Sequence, residues 1–291
     1  MMKEETNMTK KQKQRLSCFL TILLVGLGLG NKQEINTWFA HLQSDKTVQT
    51  VRNQLDSKNE QKQRENHGTA TTSIDQQQYD QLAALDFHSG DNAVLNVNNG
   101  QSTLDISQWQ ENKVIYGELD SLNRTTVVTA YLDKQNLGRS EGRERQVWQP
   151  TGWHQKQVDG KEIVNRGHLL AYTSSFNFEP EGNFKKGELG SQDNPKNLAT
   201  QTAFSNQKVQ TTYEKLVREA QKTNGNKVVY QIVTVFRGNE RMPRGYWLQA
   251  IDSAGTLNFN VYEYNVQPNV VFHYEDGTSK IDRTMKVSWE S

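Results

Sequence analysis

A single cysteine, Cys18, in 291 residues excludes an intramolecular disulfide and any zinc site built on several thiolates. Long apolar runs are lacking too. The stretch 19–29 holds eleven mostly apolar positions, short of the roughly 20 that a helix needs to cross a bilayer. Charge of one sign is nearly absent: the net value is +1, so any attraction for nucleic acid must come from local clusters. Hydrophobic residues make up 34% of the chain and the mean hydropathy is −0.85. Those values are low for a chain that is core throughout, so part of the length lies outside a core.

That part is visible in the sequence. Residues 43–81 are dominated by Gln, Asn, Ser, Thr, Lys and Glu, a composition that cannot bury enough apolar surface to offset its ordering entropy. Lys10, Lys11, Lys13 and Arg15 precede the apolar run 19–29. Positive residues followed by a short apolar segment at the start of a chain fit a secretory signal or signal anchor, against the alternative of a buried core helix. The expectation is export, to the extracellular face of the cell membrane or into the medium. Ile35, Trp38, Phe39 and Leu42 then recur at helical spacing, as in an amphipathic stalk. The predicted organisation is a signal peptide or anchor at 1–30, a stalk helix and polar linker at 31–81, and a folded domain at 82–291.

Within that domain, β-rich runs occur at 125–132, 228–236, 246–251, 256–264 and 270–272. Residues 94–97 and 103–106 flank Asn98-Asn99-Gly100 and read as a hairpin. The clearest helix spans 204–223, with Val209, Tyr213, Leu216, Val217 and Ala220 on one face and Asn224-Gly225 ending it. Strands outnumber helices without alternating with them, so the predicted fold class is α+β, a central antiparallel sheet flanked by helices.

The chemistry concentrates in Asn165-Arg166-Gly167-His168, Asn194-Pro195-Lys196-Asn197, Phe204-Ser205-Asn206-Gln207 and Glu214. Phosphodiester hydrolysis needs a base for water, a metal to neutralise the phosphorane and a cation to hold the phosphate. His168, Asn206 and Arg166 can fill those roles. On residue type alone a lone strand histidine is ordinarily structural, and an Asn at a helix start is ordinarily an N-cap.

The tracts 166–170 and 194–207 and the pair Tyr213-Glu214 resemble the DNA/RNA non-specific endonucleases of the ββα-metal class, and most closely the membrane-anchored DNA-entry nucleases of Gram-positive bacteria. The family most often has Asp at the position of Asn165. The resemblance implies a ββα-metal motif, and we place its two strands at 147–158 and 163–170 around an Asp159-Gly160 turn. It further implies His168 as general base, Asn206 as ligand of Mg²⁺ (or Mn²⁺), Arg166 on the scissile phosphate, and Glu214 accepting from water on the ion. Asn197 would orient that water or the phosphate, supported by Gln201 and Gln207. DNA, with RNA as a further substrate, would be cut without sequence preference to leave 5′-phosphate ends.

Two basic groups are candidate nucleic-acid contacts: Arg139, Arg143 and Arg145 beside Lys134, and Arg241 and Arg244 beside Arg237. Glu141, Glu144 and Glu240 are interleaved with them, so a solvated polar face is the plain alternative. Two rival functions remain at this point. One is a surface nucleic-acid receptor with a decayed catalytic site; the other is an adhesin or structural surface domain.

Overall fold

The computed structural model describes residues 74–289 apart from 140, 142 and 191. The expected signal segment and stalk, most of the polar tract, Cys18, His41 and His67 lie outside the described residues. Among the described residues no helix is long and apolar enough to cross a membrane.

The β-branched and aromatic runs form one six-stranded antiparallel sheet. Its strands are β1 (Val94–Asn96), β2 (Lys113–Tyr116), β3 (Val127–Leu132), β8 (Val228–Val235), β9 (Gly245–Asp252) and β10 (Asn258–Tyr264). They lie in the order β1-β10-β9-β8-β3-β2. Every position of the central strand β8 is buried, so both faces of the sheet are covered. Successive side chains alternate between those faces. On one face Ala130, Ile232 and Leu248 pack with Leu169, Leu170, Ala199, Val217 and Ala220. On the other, Val233, Val235, Trp247 and Tyr264 pack with Leu82 and Ala83 of the helix α1 (Gln76–Ala83). That helix begins inside the tract whose composition reads as linker. It is capped by Asp75, which accepts from the Gln78 amide, and anchored by Tyr79, whose hydroxyl accepts from the Phe236 amide at 3.0 Å.

Three two-stranded elements complete the fold: β4 (Gln157–Val158) with β5 (Lys161–Glu162), β6 (Val164–His168) with β7 (Leu198–Thr202), and β11 (Val270–His273) with β12 (Thr278–Ile281). The expected Asp159-Gly160 turn is present, with φ of 52° and 72°, the left-handed pair that a tight hairpin requires. It joins only the short β4 and β5, however. The strand paired with β6 is β7, in antiparallel register from Val164 opposite Thr202 to His168 opposite Leu198. The placement of the first ββα strand at 147–158 is therefore corrected. Residues 147–156 form no strand; there Thr151 offers its carbonyl to the Thr200 hydroxyl at 2.8 Å and Trp148 offers its own to Arg166.

The expected 94–106 hairpin is also absent. Asn98, Asn99 and Gly100 have φ of 48°, 54° and 77°, which turn the chain out of the ladder. β1 pairs instead with β10, and the Ser102 and Thr103 amides donate to Asn258 and Gln249 across the sheet.

The long helix starts where expected but in a different form. Ser205–Gln210 winds as a π-helix and continues as α2 (Thr211–Lys222). π-Helical turns are rare and recur at functional sites. Val209, Val217 and Ala220 are buried as expected and Tyr213 packs against the core, but Leu216 is 46% exposed. The wider winding over Ser205–Gln210 shifts the register of the faces that follow.

Candidate active site

β6, β7 and the π-helical turn meet over one sheet face and leave a polar cleft of about 970 Å³. His168, Arg166, Asn206 and Glu214 all line it, so four of the five central candidates converge. The β6–β7 pair is held on the sheet by Tyr246, whose hydroxyl donates to the Thr200 carbonyl at 3.1 Å. Asn265 adds bonds to Thr200 and Thr202. Gly167 is required by its neighbour, since a Cβ there would lie 2.0 Å from Gln201 Oε1.

His168 is half-buried at the end of β6. Its Nε2 lies 2.9 Å from the Gln192 carbonyl, which can only accept. The proton therefore sits on Nε2, and Nδ1 keeps a free lone pair. Burial lowers the imidazole's pKa to about 4, against the opposing bond to Gln192. The ring is neutral at physiological pH.

Arg166 donates through Nε to the Trp148 carbonyl at 2.6 Å, and its guanidinium lies 4.5 Å above the Trp153 ring. Those two contacts fix the plane of the fork. Its terminal nitrogens have no acceptor among the described residues, which leaves them available for the paired oxygens of a phosphate.

Asn206 donates from Nδ2 to Asn165 Oδ1 at 3.0 Å, and Gln207 Nε2 donates to the same oxygen at 2.9 Å. Asn165 thus acts on Asn206, not on His168. By accepting from the amide nitrogen it fixes which way that amide is turned. Asn206 Oδ1 has no donor among the described residues.

Glu214 is partly buried on α2, accepts from Gln210 Nε2 at 3.2 Å and lies 3.7 Å from Arg218 Nη1. Burial raises its pKa, with the Arg218 charge opposing. Among the described residues no group of three or more His, Cys, Asp or Glu is arranged to hold a metal.

Asn197 is not in the cleft. It is fully buried, and its amide is committed at both ends to Leu170, accepting from the amide at 2.9 Å and donating to the carbonyl at 3.0 Å. It ties the chain just after His168 to β7 and does not face water or phosphate. Gln201 likewise lies beneath the cleft, fully buried.

The two basic groups separate. Arg139 and Arg143 line the cleft, and Arg143 stacks over Tyr172 at 5.0 Å. Arg145 is exposed but is not part of the cleft wall. Arg241 is not part of the cleft wall and donates to the Leu122 carbonyl. Arg244, the plainest miss, is 14% exposed and bound by Glu240 at 2.6 Å and Asp86 at 2.7 Å. Both of its sides are neutralised within the protein.

Arg218 is the cleft residue that sequence reasoning passed over. A signal existed, because it follows Glu214 by four residues, the spacing that brings side chains together on a helix. Trp153 and Tyr172, which support the cleft arginines, carried no comparable signal. Of the other histidines in the described region, His88, His154 and His273 are exposed and outside the cleft.

Comparison with known proteins gives a consistent result. The sequence profile of the DNA/RNA non-specific endonuclease family matches residues 89–282, about two thirds of the chain. NucA from Streptococcus agalactiae with no metal bound is 29% identical, with a TM-score of 0.57 over 73% of this chain and 99% of that one. The same protein with magnesium ion bound gives 27% and 0.59 over 74% and 100%.

Proposed function

The chain belongs to the DNA/RNA non-specific endonuclease family and is thus a phosphodiester hydrolase; from that premise we propose an exported, Mg²⁺-dependent enzyme that cuts DNA, and RNA where accessible, with His168 as general base. The observation that carries the base assignment is the bond from His168 Nε2 to the Gln192 carbonyl. It leaves Nδ1 as the acceptor for a proton from water, and the lowered pKa keeps that acceptor unprotonated. Water attacks phosphorus as His168 takes one of its protons, the bond from phosphorus to O3′ breaks, and the departing O3′ takes up a proton from solvent, so that the products carry a 5′-phosphate and a 3′-hydroxyl. Arg166 holds two non-bridging oxygens, and Arg143, Arg139 and Arg218 extend the positive wall along the strand.

The residues fit a magnesium ion. A turned amide oxygen on Asn206, without a protein donor among the described residues, is a hard ligand of the kind Mg²⁺ takes when it keeps most of its water. Glu214 stands in the same cleft as a hydrogen-bond acceptor. When bound, the ion supplies charge neutralisation for the transition state. NucA from Streptococcus agalactiae has been solved with magnesium ion bound, which supports the same choice here. The closer reading as a membrane-anchored DNA-entry nuclease rests on the resemblance of 166–170, 194–207 and Tyr213-Glu214, with the basic and apolar pattern of residues 10–29 in support.

Supercoiled plasmid tests the proposal. The full chain should nick it in Mg²⁺ and not in EDTA, and DNA ligase should reseal the nicks, which requires 5′-phosphate and 3′-hydroxyl ends. Asn206→Ala should lose both cutting and Mg²⁺ binding by calorimetry. Nicking that persists in EDTA, or nicks that ligase cannot seal, would sink it. The receptor reading with a decayed site loses its motive, since Asn165 engages Asn206 by the hydrogen bond that a carboxylate there could also accept.

A further inference from the structure

Directly beneath the cleft lies an acid with no role in the chemistry above. Glu263, on β10, is fully buried on the sheet face that carries Phe259 and Val261. Its Oε1 accepts from Gln201 Nε2 at 3.0 Å and from the Ser205 hydroxyl at 3.1 Å, while Oε2 has no partner. Gln201 Nε2 also reaches Gln210 Oε1 at 2.8 Å. Gln210 Nε2 in turn donates to the His168 carbonyl at 2.7 Å and lies 3.2 Å from Glu214 Oε1. A continuous chain of contacts therefore runs from Glu263 to the main chain of the base and to the cleft carboxylate.

That chain is short of hydrogens. Gln201, Gln210 and Ser205 supply its donors, yet Glu263 Oε2 and Gln201 Oε1 are both buried without one. An orphaned buried acceptor costs roughly 1–3 kcal/mol, and an unpaired buried carboxylate costs more. A proton on Glu263 removes the charge and makes the carboxyl itself a donor. Among the described residues no cation is found to act on Glu263. The ionisable groups that interact with Glu263 are Glu214 on α2, Tyr213 beside it, Tyr230 on β8 and Tyr246 on β9. Burial foremost, and then the Glu214 charge, raise its pKa well above the ordinary value.

We propose that Glu263 is a positioning residue of the nuclease reaction: kept as a neutral acid, it completes the network through Gln201 and Gln210 that sets the His168 main chain and the Glu214 carboxylate. The inference rests on the roles given to His168 and Glu214 above. It also accounts for Gly167, where any side chain would displace Gln201.

Two measurements on the full chain test it. The first is the infrared difference spectrum between wild type and Glu263→Gln at neutral pH, with no metal or substrate. A protonated-carboxyl C=O band that vanishes in the variant is expected; its absence from the wild type would overturn the neutral assignment. The second is kinetics. Glu263→Gln keeps the shape and neutrality of the acid and should retain wild-type kcat. Glu263→Leu should lose roughly 10–100-fold in kcat, the range seen for residues that support a site from behind, with KM for plasmid unchanged.

Should Glu263→Leu fail to fold, Gln210→Leu carries the same arm, since it cuts the link and leaves Glu263 in place. Full kcat in the leucine variant that folds, or a Glu263→Gln protein as impaired as Glu263→Leu, would refute the proposal. The infrared band is independent of activity. A fully active His168→Ala would therefore remove the base assignment while the protonation of Glu263 still stood or fell by itself.

Discussion

The arginines at 139–145 and those of the segment between β8 and β9 look alike in the sequence, each group interleaved with glutamates, and they end in different roles. Arg166 rests on Trp153 and Arg143 on Tyr172, with their charged ends on the cleft wall. Aromatic faces orient a guanidinium without neutralising it. Arg244 turns inward to Glu240 and Asp86, and Arg237 donates to the Ala83 carbonyl at the end of α1 and the Leu85 carbonyl just beyond it. Arg166 keeps its terminal nitrogens for a ligand, and Arg237 and Arg244 use their charge to tie α1 to the sheet. What separates them is the partner, and that is a long-range property.

The sharpest way to break the comparison is Arg166→Ala. Loss of a fixed phosphate fork should lower kcat/KM by about 10²–10³-fold, as for other transition-state donors, while urea unfolding changes little. Arg244→Ala should do the reverse: about 3 kcal/mol of stability lost, because Glu240 is left buried without its partner, with kcat/KM of the folded enzyme unchanged. If Arg244→Ala instead weakened DNA binding at fixed stability, the division between the groups would fail.

Acid should separate the two regions by kind of failure. In the cleft, burial lowers the pKa of His168 to about 4. Activity should therefore hold as pH falls through 6.5 and drop only as it passes about 4, where the base becomes protonated. Because the unfolded chain takes up that proton near 6.5, stability should fall between those two values, a dependence that His168→Gln should lack. At the other region slight burial of Asp86 opposes, but the hydrogen bond from Arg237 and the charges of Arg237 and Arg244 hold its pKa below the ordinary carboxylate value. Its contribution is present above that value and is lost only as pH falls through the depressed one. A pH–rate profile beside a pH–stability curve reads both.

Smaller effects should follow the same line. Arg139→Ala and Arg166→Ala should each lower the slope of log affinity against log salt by about one contact, roughly 0.9 for duplex DNA. Arg145→Ala and Arg241→Ala should leave that slope unchanged and shift stability by less than about 0.5 kcal/mol. Filter binding across a salt series distinguishes the two pairs.

Much of this architecture was legible in the sequence, and the exceptions share a cause. β3, β8, β9 and β10 were readable because β-branched and aromatic residues concentrate in runs that suit a sheet covered on both faces. His168, Arg166, Asn206 and Glu214 were readable because the unit that assembles them spans about fifty residues. The partner strand of β6 was misplaced because its pairing with β7 skips thirty residues, whereas the Asp159-Gly160 turn is a local signal. The resemblance put Asn197 at the water or the phosphate, but both ends of its amide belong to Leu170. Glu263 carried no local signal at all; its meaning comes from Gln201, sixty-two residues earlier, and from burial that composition does not reveal.

The most direct test of the central claim is plasmid nicking by His168→Ala beside wild type in Mg²⁺, with Mg²⁺ affinity measured on both by calorimetry. Loss of cutting by at least about 10²-fold with Mg²⁺ binding retained is the predicted result, because His168 moves a proton and Asn206 holds the ion. Undiminished cutting by His168→Ala would contradict it and place the base elsewhere in the cleft.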